Sequence, residues 1–231
     1  MDISFFRSRR QGPELLLEDA VVNFVDRLTS TSDLPTWVAC SPTIGAGMPD
    51  ILLAYYEPKL LALSKTNLSK TQLLAFLRGV KNANLDTIKF YLKYTEKAIN
   101  LDLEELISID AVHSDEGVFA LSPLWKNIIP TIITVEVKVH DWKKAVSQAA
   151  RNKIFAHQSY VALPKKLVVR KKDDPVFVKL GIGLLSIDDD NVTEVIPAFI
   201  EKPRIWEYYY KLALLLANSR QDDHQCRSLY L

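Results

Sequence analysis

Cysteine is scarce in this chain, which has two thiols, Cys40 and Cys226, in 231 residues. Two distant cysteines cannot form the disulfide framework of a small secreted protein, and neither lies in the paired spacing of a zinc site. We therefore expect a protein of a reducing, cytoplasmic compartment. The start of the chain lacks the long apolar stretch of a signal peptide, and the longest apolar runs, such as Leu212 to Ala217, are too short to span a bilayer. We accordingly expect no membrane contact.

Net charge is also nearly absent, because 29 Lys and Arg residues against 28 Asp and Glu residues leave +1. This balance excludes a uniformly basic nucleic-acid coat protein but says nothing about local patches. Between Lys138 and Lys172 there are ten basic residues and one acid, Asp141. Such a basic helix and loop is typical of contact with phosphate groups. The residues that we expect to bind nucleic acid are Lys143, Lys144, Arg151, Lys153, Lys165 and Lys166.

Hydrophobic periodicity predicts the element order of an α/β protein with a mixed central sheet. The predicted elements are a helix over 14–29, strands over 36–41 and 49–56, a strand over 131–139, a helix over 141–157, strands over 159–164, 181–188 and 192–198, and a last helix over 204–218. The long interruption between the second and third strands has a pattern of its own. We therefore assign residues 1–57 and 131–231 to a core and residues 58–130 to an inserted module.

The inserted module resembles a winged helix-turn-helix, since three short helices precede two short strands around Asp115–Gly117. In a DNA-reading winged helix, the third helix enters the major groove. Here residues 101–110 carry four acids and no Lys or Arg, so phosphate groups would repel this segment. We expect the module to contact a protein partner or to support the fold.

Three charged residues, Asp50, Glu136 and Lys138, lie in or beside strands that are otherwise apolar. Buried charges are costly unless they are paired or bind a ligand. Two carboxylates and the main-chain carbonyl of Val137 are oxygen ligands that suit Mg²⁺, with Mn²⁺ as a substitute. A lysine beside such an ion can orient water or stabilise charge on a phosphodiester. The set therefore predicts phosphodiester hydrolysis.

The segments Pro49-Asp50 and Glu136-Val137-Lys138 resemble the PD-(D/E)XK nuclease superfamily, which includes restriction endonucleases and Holliday-junction resolvases. The helix and strand that follow Lys138 resemble those of the same enzymes, and Gln148 matches a glutamine often found in that helix. The resemblance covers residues 1–57 and 131–200. It implies a restriction-endonuclease-like αβββαβ core, dependence on a divalent metal, and cleavage of DNA or, less often, RNA.

The resemblance also implies an acidic residue in the first helix, for which Glu14 and Glu18 are both available. Apolar residues three, four and seven places after the acid are typical of resolvase-like members. They follow Glu18 without a mismatch, whereas Glu14 has one, so we prefer Glu18. The implied catalytic set is Asp50, Glu136, Lys138, Glu18 and Gln148.

Two functions from other classes remain open from the sequence. A non-catalytic nucleic-acid-binding or assembly factor could retain the nuclease fold and act through its basic surface. A transcription regulator led by the inserted module is disfavoured by the acidic segment 101–110. A homodimer would suit the cleavage of both strands of a duplex, although the sequence marks no interface.

Overall fold

A computed structural model describes residues 2–7, 11–28, 33–45, 47–65 and 67–226. The chain forms two units. The first unit contains the described residues up to Tyr56 together with Pro130–Arg204, and the second contains Glu57–Ile129 together with the described residues from Ile205 onward. Within the described helices, none is both long enough and apolar enough to cross a membrane.

The regular elements of both units are numbered along the chain. The strands are β1 (Asp2–Phe5), β2 (Thr36–Cys40), β3 (Ile51–Tyr55), β4 (Asn82–Asn84), β5 (Val112–Asp115), β6 (Val118–Leu121), β7 (Thr131–Val137), β8 (Gln158–Pro164), β9 (Gly183–Asp188) and β10 (Asn191–Ile196). The α-helices are α1 (Pro13–Val22), α2 (Leu68–Val80), α3 (Leu85–Leu92), α4 (Glu96–Ser108), α5 (Trp142–Asn152), α6 (Lys165–Lys171), α7 (Val176–Leu180) and α8 (Trp206–Cys226). Short 3-10 segments cover Val25–Leu28, Pro58–Lys65 and Leu124–Asn127.

The first unit is built on a seven-stranded sheet in the order β1-β2-β3-β7-β8-β9-β10. The strands β2, β3 and β7 are antiparallel neighbours, whereas β7, β8 and β9 are parallel. The edge strand β1 is parallel to β2, and β10 is antiparallel to β9. The sheet is therefore mixed, and the predicted α/β class is confirmed.

The two faces of this sheet carry separate apolar clusters. On one face, Val21 and Val22 of α1 belong to the same cluster as Val135 and Val137 of β7. On the other face, α5 and α7 pack over β8 and β9. Because successive side chains of a strand point to opposite faces of the sheet, Glu136 points away from the face of Val135 and Val137 and faces α5.

Several elements of the first unit differ from the prediction. The first helix ends at Val22 and is followed by a 3-10 segment over Val25–Leu28, while residue 29 lies outside the described part of the chain. The segment after β8, expected as a loop, forms α6 and α7. The edge strand β1 was not predicted, since its pairing with β2 depends on a partner more than thirty residues away.

The second unit contains α2, α3 and α4 with a three-stranded antiparallel sheet in the order β4-β6-β5. The helix α8 packs against α2 and the segment Pro58–Lys65 of the same unit. The hydroxyl of Tyr210 donates to the carbonyl oxygen of Trp125 at 2.8 Å, and Tyr209 bonds both main-chain groups of Ile129.

This packing corrects the expectation that residues 131–231 belong to the core. The structure groups the chain from Ile205 onward with the second unit. The physical reason is that the apolar and aromatic face of α8 is covered there, with the Arg78 guanidinium 4.4 Å above the centre of the Trp206 ring.

Candidate functional site

The carboxylate of Asp50 connects two strands of the sheet. Asp50 directly precedes β3, and the antiparallel register sets Ile51 opposite Val135, so that Asp50 lies beside the end of β7. Its Oδ2 atom accepts hydrogen bonds from the main-chain N–H of Val137 at 2.8 Å and from Lys138 Nζ at 3.0 Å. Asp50 and Lys138, which the sequence predicts to act together, are therefore in direct contact.

The ammonium of Lys138 is enclosed by oxygen atoms. Its Nζ donates to the carbonyl oxygen of Val137 at 2.7 Å and to Asp50, and it lies 3.8 Å from Glu14 Oε1. Burial disfavours the charged ammonium, but the Asp50 carboxylate, with Glu14 and Glu136 beyond it, outweighs burial and raises the pKa of Lys138. Lys138 is therefore a cation at neutral pH.

Glu136 is buried, with 1% of its surface exposed, and its two carboxylate oxygens differ. Oε1 accepts a hydrogen bond of 2.7 Å from Asn152 Nδ2 in α5. Oε2 is also buried but has no hydrogen-bond partner among the described residues. Burial, assisted by the nearby Asp50 charge, raises the pKa of Glu136 to about 8. A cation beside Oε2 would reverse that effect, because it favours the charged carboxylate.

The helix α5 contributes a polar pair to this side of the sheet. Gln148 and Asn152 are four residues apart and therefore lie on one helix face. The Oε1 atom of Gln148 is a second buried acceptor without a hydrogen-bond partner within the described part of the chain. Asn152 was not predicted as a site residue, although its spacing of four from Gln148 was a signal that could have found it.

The acid of α1 that contacts Lys138 is Glu14, which the sequence ranks second. The side chain of Glu14 is 51% exposed, and its Oε1 atom lies 3.8 Å from Lys138 Nζ. Glu18, the preferred candidate, lies one turn further along α1 and is partly buried. The preference for Glu18 came from the apolar residues that follow each acid, which describe only the helix itself. The distance from an acid to Lys138 depends instead on where α1 begins relative to β7.

The oxygen atoms of this site are of the chemical type that binds Mg²⁺ or Mn²⁺. Asp50, Oε2 of Glu136 and the Val137 carbonyl are hard oxygen donors, and Mg²⁺ commonly binds one or two carboxylates while keeping several waters. The unpartnered Oε2 of Glu136 is the observation that favours a cation most directly. The described residues contain no group of three or more His, Cys, Asp or Glu side chains placed to hold a metal. The carbonyl and water would therefore have to complete the coordination.

Most of the basic side chains predicted to bind nucleic acid are on the surface of the first unit. Lys143, Lys144 and Arg151 of α5 and Lys166 of α6 are exposed. Lys165 is also exposed, but it forms an ion pair of 2.6 Å with Asp188.

Lys153 corrects this prediction. Only 3% of its surface is exposed, and its Nζ donates to the carbonyl oxygen of Leu180 at 2.6 Å and to Glu201 Oε1 at 2.5 Å. A lysine that is buried and paired in this way holds the fold together and is not available to a phosphate group.

Comparisons of the chain with protein-family models, with curated proteins and with solved structures found no match. By its fold, the molecule is an α/β protein with a mixed seven-stranded sheet. A cluster of Asp50, Glu136 and Lys138 lies at the end of β7.

Proposed function

We propose that this protein is a divalent-metal-dependent endonuclease that hydrolyses phosphodiester bonds of nucleic acid, with DNA as the first candidate substrate. The observation that carries the proposal is that Asp50 Oδ2 accepts hydrogen bonds from both Val137 N–H and Lys138 Nζ. Beside it lies the buried carboxylate of Glu136, whose Oε2 has no hydrogen-bond partner among the described residues. Carboxylate and carbonyl oxygens are suitable ligands for a divalent metal ion that promotes hydrolysis, and a neighbouring lysine can stabilise charge on the phosphate.

The order of elements supports a restriction-endonuclease-like core. The helix α1 is followed by the antiparallel strands β2, β3 and β7, then by α5 and by β8, which is parallel to β7. This is the αβββαβ order that the sequence resemblance to PD-(D/E)XK nucleases implies. The acidic and basic residues of the site come from the residue before β3, from β7 and from the residue after β7, as that resemblance also implies.

Asp50, Glu136 through Oε2, and the carbonyl oxygen of Val137 would hold Mg²⁺ or Mn²⁺. When bound, the ion supplies Lewis-acid polarisation of the phosphodiester and makes water more acidic. The Lys138 ammonium would orient the attacking water and stabilise negative charge on the phosphate oxygens. Because its neighbours raise the pKa of Lys138, we assign it the role of a cation and not of a general base.

The exposed basic residues of α5 and α6 would hold the nucleic-acid backbone. Lys143, Lys144, Arg151 and Lys166 carry positive charge on the surface, and each contact with a phosphate would release a counterion. The contribution of Lys165 would be smaller, because Asp188 already neutralises part of its charge.

The second unit supports a winged-helix-like module by its order α2-β4-α3-α4-β5-β6, in which β4 pairs with β6. Its third helix, α4, carries Lys97 but remains mainly acidic. Asp102 in that helix is tied to the buried Lys70 at 3.3 Å. We therefore assign the module to protein contact, including self-association, and not to reading a DNA groove.

The decisive experiment is a cleavage screen with the purified full-length protein. Single-stranded, duplex, flap and four-way DNA, together with RNA, are incubated with Mg²⁺ or Mn²⁺ and with EDTA. We expect metal-dependent cleavage of at least one substrate and its loss in EDTA. Lys138→Ala should abolish cleavage while retaining the fold and nucleic-acid binding, whereas Lys179→Ala, at an exposed lysine, should cleave normally. Wild-type cleavage by Lys138→Ala would contradict the proposed function.

A non-catalytic nucleic-acid-binding or assembly factor is the second candidate. One observation favours it: two of the three expected ligand atoms, Asp50 Oδ2 and the Val137 carbonyl oxygen, are already bonded by Lys138. Such a protein would hold its charges in balance without a metal. Calorimetric titration with Mn²⁺ separates the two functions, since binding that is lost in Asp50→Ala supports the enzyme.

A further inference from the structure

The two oxygens of the Glu136 carboxylate differ in their hydrogen bonds to the described residues. Asn152 Nδ2 donates to Oε1 at 2.7 Å, and both side chains are 1% exposed. Oε2 meets no hydrogen-bond partner in the described residues. Oε2 is therefore the oxygen more available to a cation, whereas a cation that uses both oxygens would compete with Asn152 for Oε1.

Gly47, in the segment before β3, lies directly against the amide of Asn152. A Cβ atom added to Gly47 would lie 2.8 Å from Asn152 Oδ1, which is closer than the Cβ atoms of real residues come to another heavy atom. The glycine backbone therefore packs directly against the amide oxygen, while the amide nitrogen faces Glu136. This close approach gives a physical reason for a glycine at position 47.

A one-oxygen carboxylate distinguishes between divalent cations. Mg²⁺ requires a small, nearly octahedral set of six ligands, in which each carboxylate contributes one oxygen. Ca²⁺ is larger, accepts six to eight oxygens, and often binds both oxygens of one carboxylate. A carboxylate with one oxygen engaged by an amide suits the first kind of ion better than the second.

We propose that Asn152 is a positioning residue that makes Glu136 a one-oxygen ligand and thereby favours Mg²⁺ and Mn²⁺ over Ca²⁺. Gly47 acts with it, because its lack of a side chain leaves room for the amide. This inference rests on the proposed function, since it takes Glu136 to be a metal ligand. Asn152 contacts the carboxylate of Glu136 but is not itself expected to touch the metal ion.

The test is calorimetric titration of the full-length protein with Mn²⁺ and, separately, with Ca²⁺. In Asn152→Leu, which keeps a similar volume but cannot donate, Mn²⁺ affinity should fall about tenfold, the usual effect of removing a residue that orients a metal ligand. Ca²⁺ affinity should change less, because both oxygens of Glu136 become available. The ratio of the Mn²⁺ affinity to the Ca²⁺ affinity should therefore fall by up to about tenfold. Asn23→Leu, at an exposed asparagine after α1, should keep the wild-type ratio.

Gly47→Ala provides a second variant in case Asn152→Leu does not fold, which circular dichroism would reveal. The added methyl group should displace the Asn152 amide and lower the ratio of Mn²⁺ to Ca²⁺ affinity, as in Asn152→Leu. Gly12→Ala is the control and should keep the wild-type ratio, because no atom lies within 4 Å of a Cβ at that position. An unchanged ratio in folded Asn152→Leu or Gly47→Ala, with normal Mn²⁺ binding by the wild type, would overturn this inference and leave the proposed function intact. Absence of Mn²⁺ binding by the wild type would overturn both.

Discussion

The carboxylate of Asp50 and the ammonium of Lys138 lie 3.0 Å apart, although 88 positions separate them in the chain. The antiparallel pairing of β3 with β7 brings them together, because it sets the residue before β3 beside the end of β7. The same Asp50 oxygen also accepts the main-chain N–H of Val137. Asp50 thus has a structural and a proposed chemical role.

Asp50→Ala should impair both roles. We expect metal-dependent cleavage to fall by on the order of 100-fold or more, because the proposed metal ion loses a ligand and with it the stabilisation of charge on the phosphate. The free energy of unfolding should fall by about 1–3 kcal/mol, because the N–H of Val137 loses its acceptor. Initial cleavage rates and urea denaturation measure the two effects. Asp33→Ala, at an exposed aspartate, is the control, and a cleavage rate that matches this control would contradict the role of Asp50.

The stability of the metal-free protein should fall as the pH rises from about 5 to 8. The pKa of Glu136 is raised to about 8 in the folded state, above the ordinary value of 4.5. In this interval the folded protein retains a proton that the unfolded chain releases, so a higher pH favours unfolding. Each pKa unit corresponds to about 1.4 kcal/mol, and the total should reach a few kcal/mol.

Urea denaturation in EDTA at several pH values measures this effect. Glu136→Gln cannot release the proton and should lose most of the pH dependence in that interval. It should also be more stable than the wild type at pH 8 without metal. An equal decline in stability for the two proteins would show that another group is responsible.

Glu14→Gln should slow cleavage more than Glu18→Gln. Glu14 lies 3.8 Å from Lys138 Nζ, and about half of its side chain is exposed. An ion pair of this kind contributes at most about 1 kcal/mol, which corresponds to a change in rate of about fivefold. Single-turnover cleavage by the two variants decides between the acids, and a larger loss in Glu18→Gln would restore the preference derived from the sequence.

Lys153→Ala and Lys144→Ala should affect different properties, the first the stability of the fold and the second the binding of nucleic acid. Loss of the buried Lys153 leaves the carbonyl oxygen of Leu180 without this donor and should lower the free energy of unfolding by about 1–3 kcal/mol. Lys144→Ala should leave stability within about 0.5 kcal/mol of the wild type. It should weaken nucleic-acid binding and reduce the logarithmic salt dependence of binding by about one. Urea midpoints and fluorescence anisotropy at several salt concentrations test the pair, and a stability loss in Lys144→Ala would contradict the assignment.

The parts of the fold that were predictable from sequence have strong local signals. The strands β2, β3, β7 and β8 lie within the predicted ranges, or one residue outside them, because apolar and β-branched runs mark buried strands. The helix α5 begins after Asp141, whose side chain accepts from Lys144 N at 3.1 Å, as expected for a capping residue. By contrast, β1 is four residues long and α8 packs in the second unit, and neither fact is visible in local periodicity.

By itself, the sequence determined the α/β class, the positions of the main strands and the choice of Asp50, Glu136 and Lys138 as residues that belong together. These follow from side-chain periodicity and from the cost of burying charge, which are local properties. The tertiary structure alone decided that Glu14 contacts Lys138, that Lys153 is buried, and that Asn152 binds one oxygen of Glu136. Each of these facts is a distance between side chains from different elements, and such distances are set by how helices pack on the sheet.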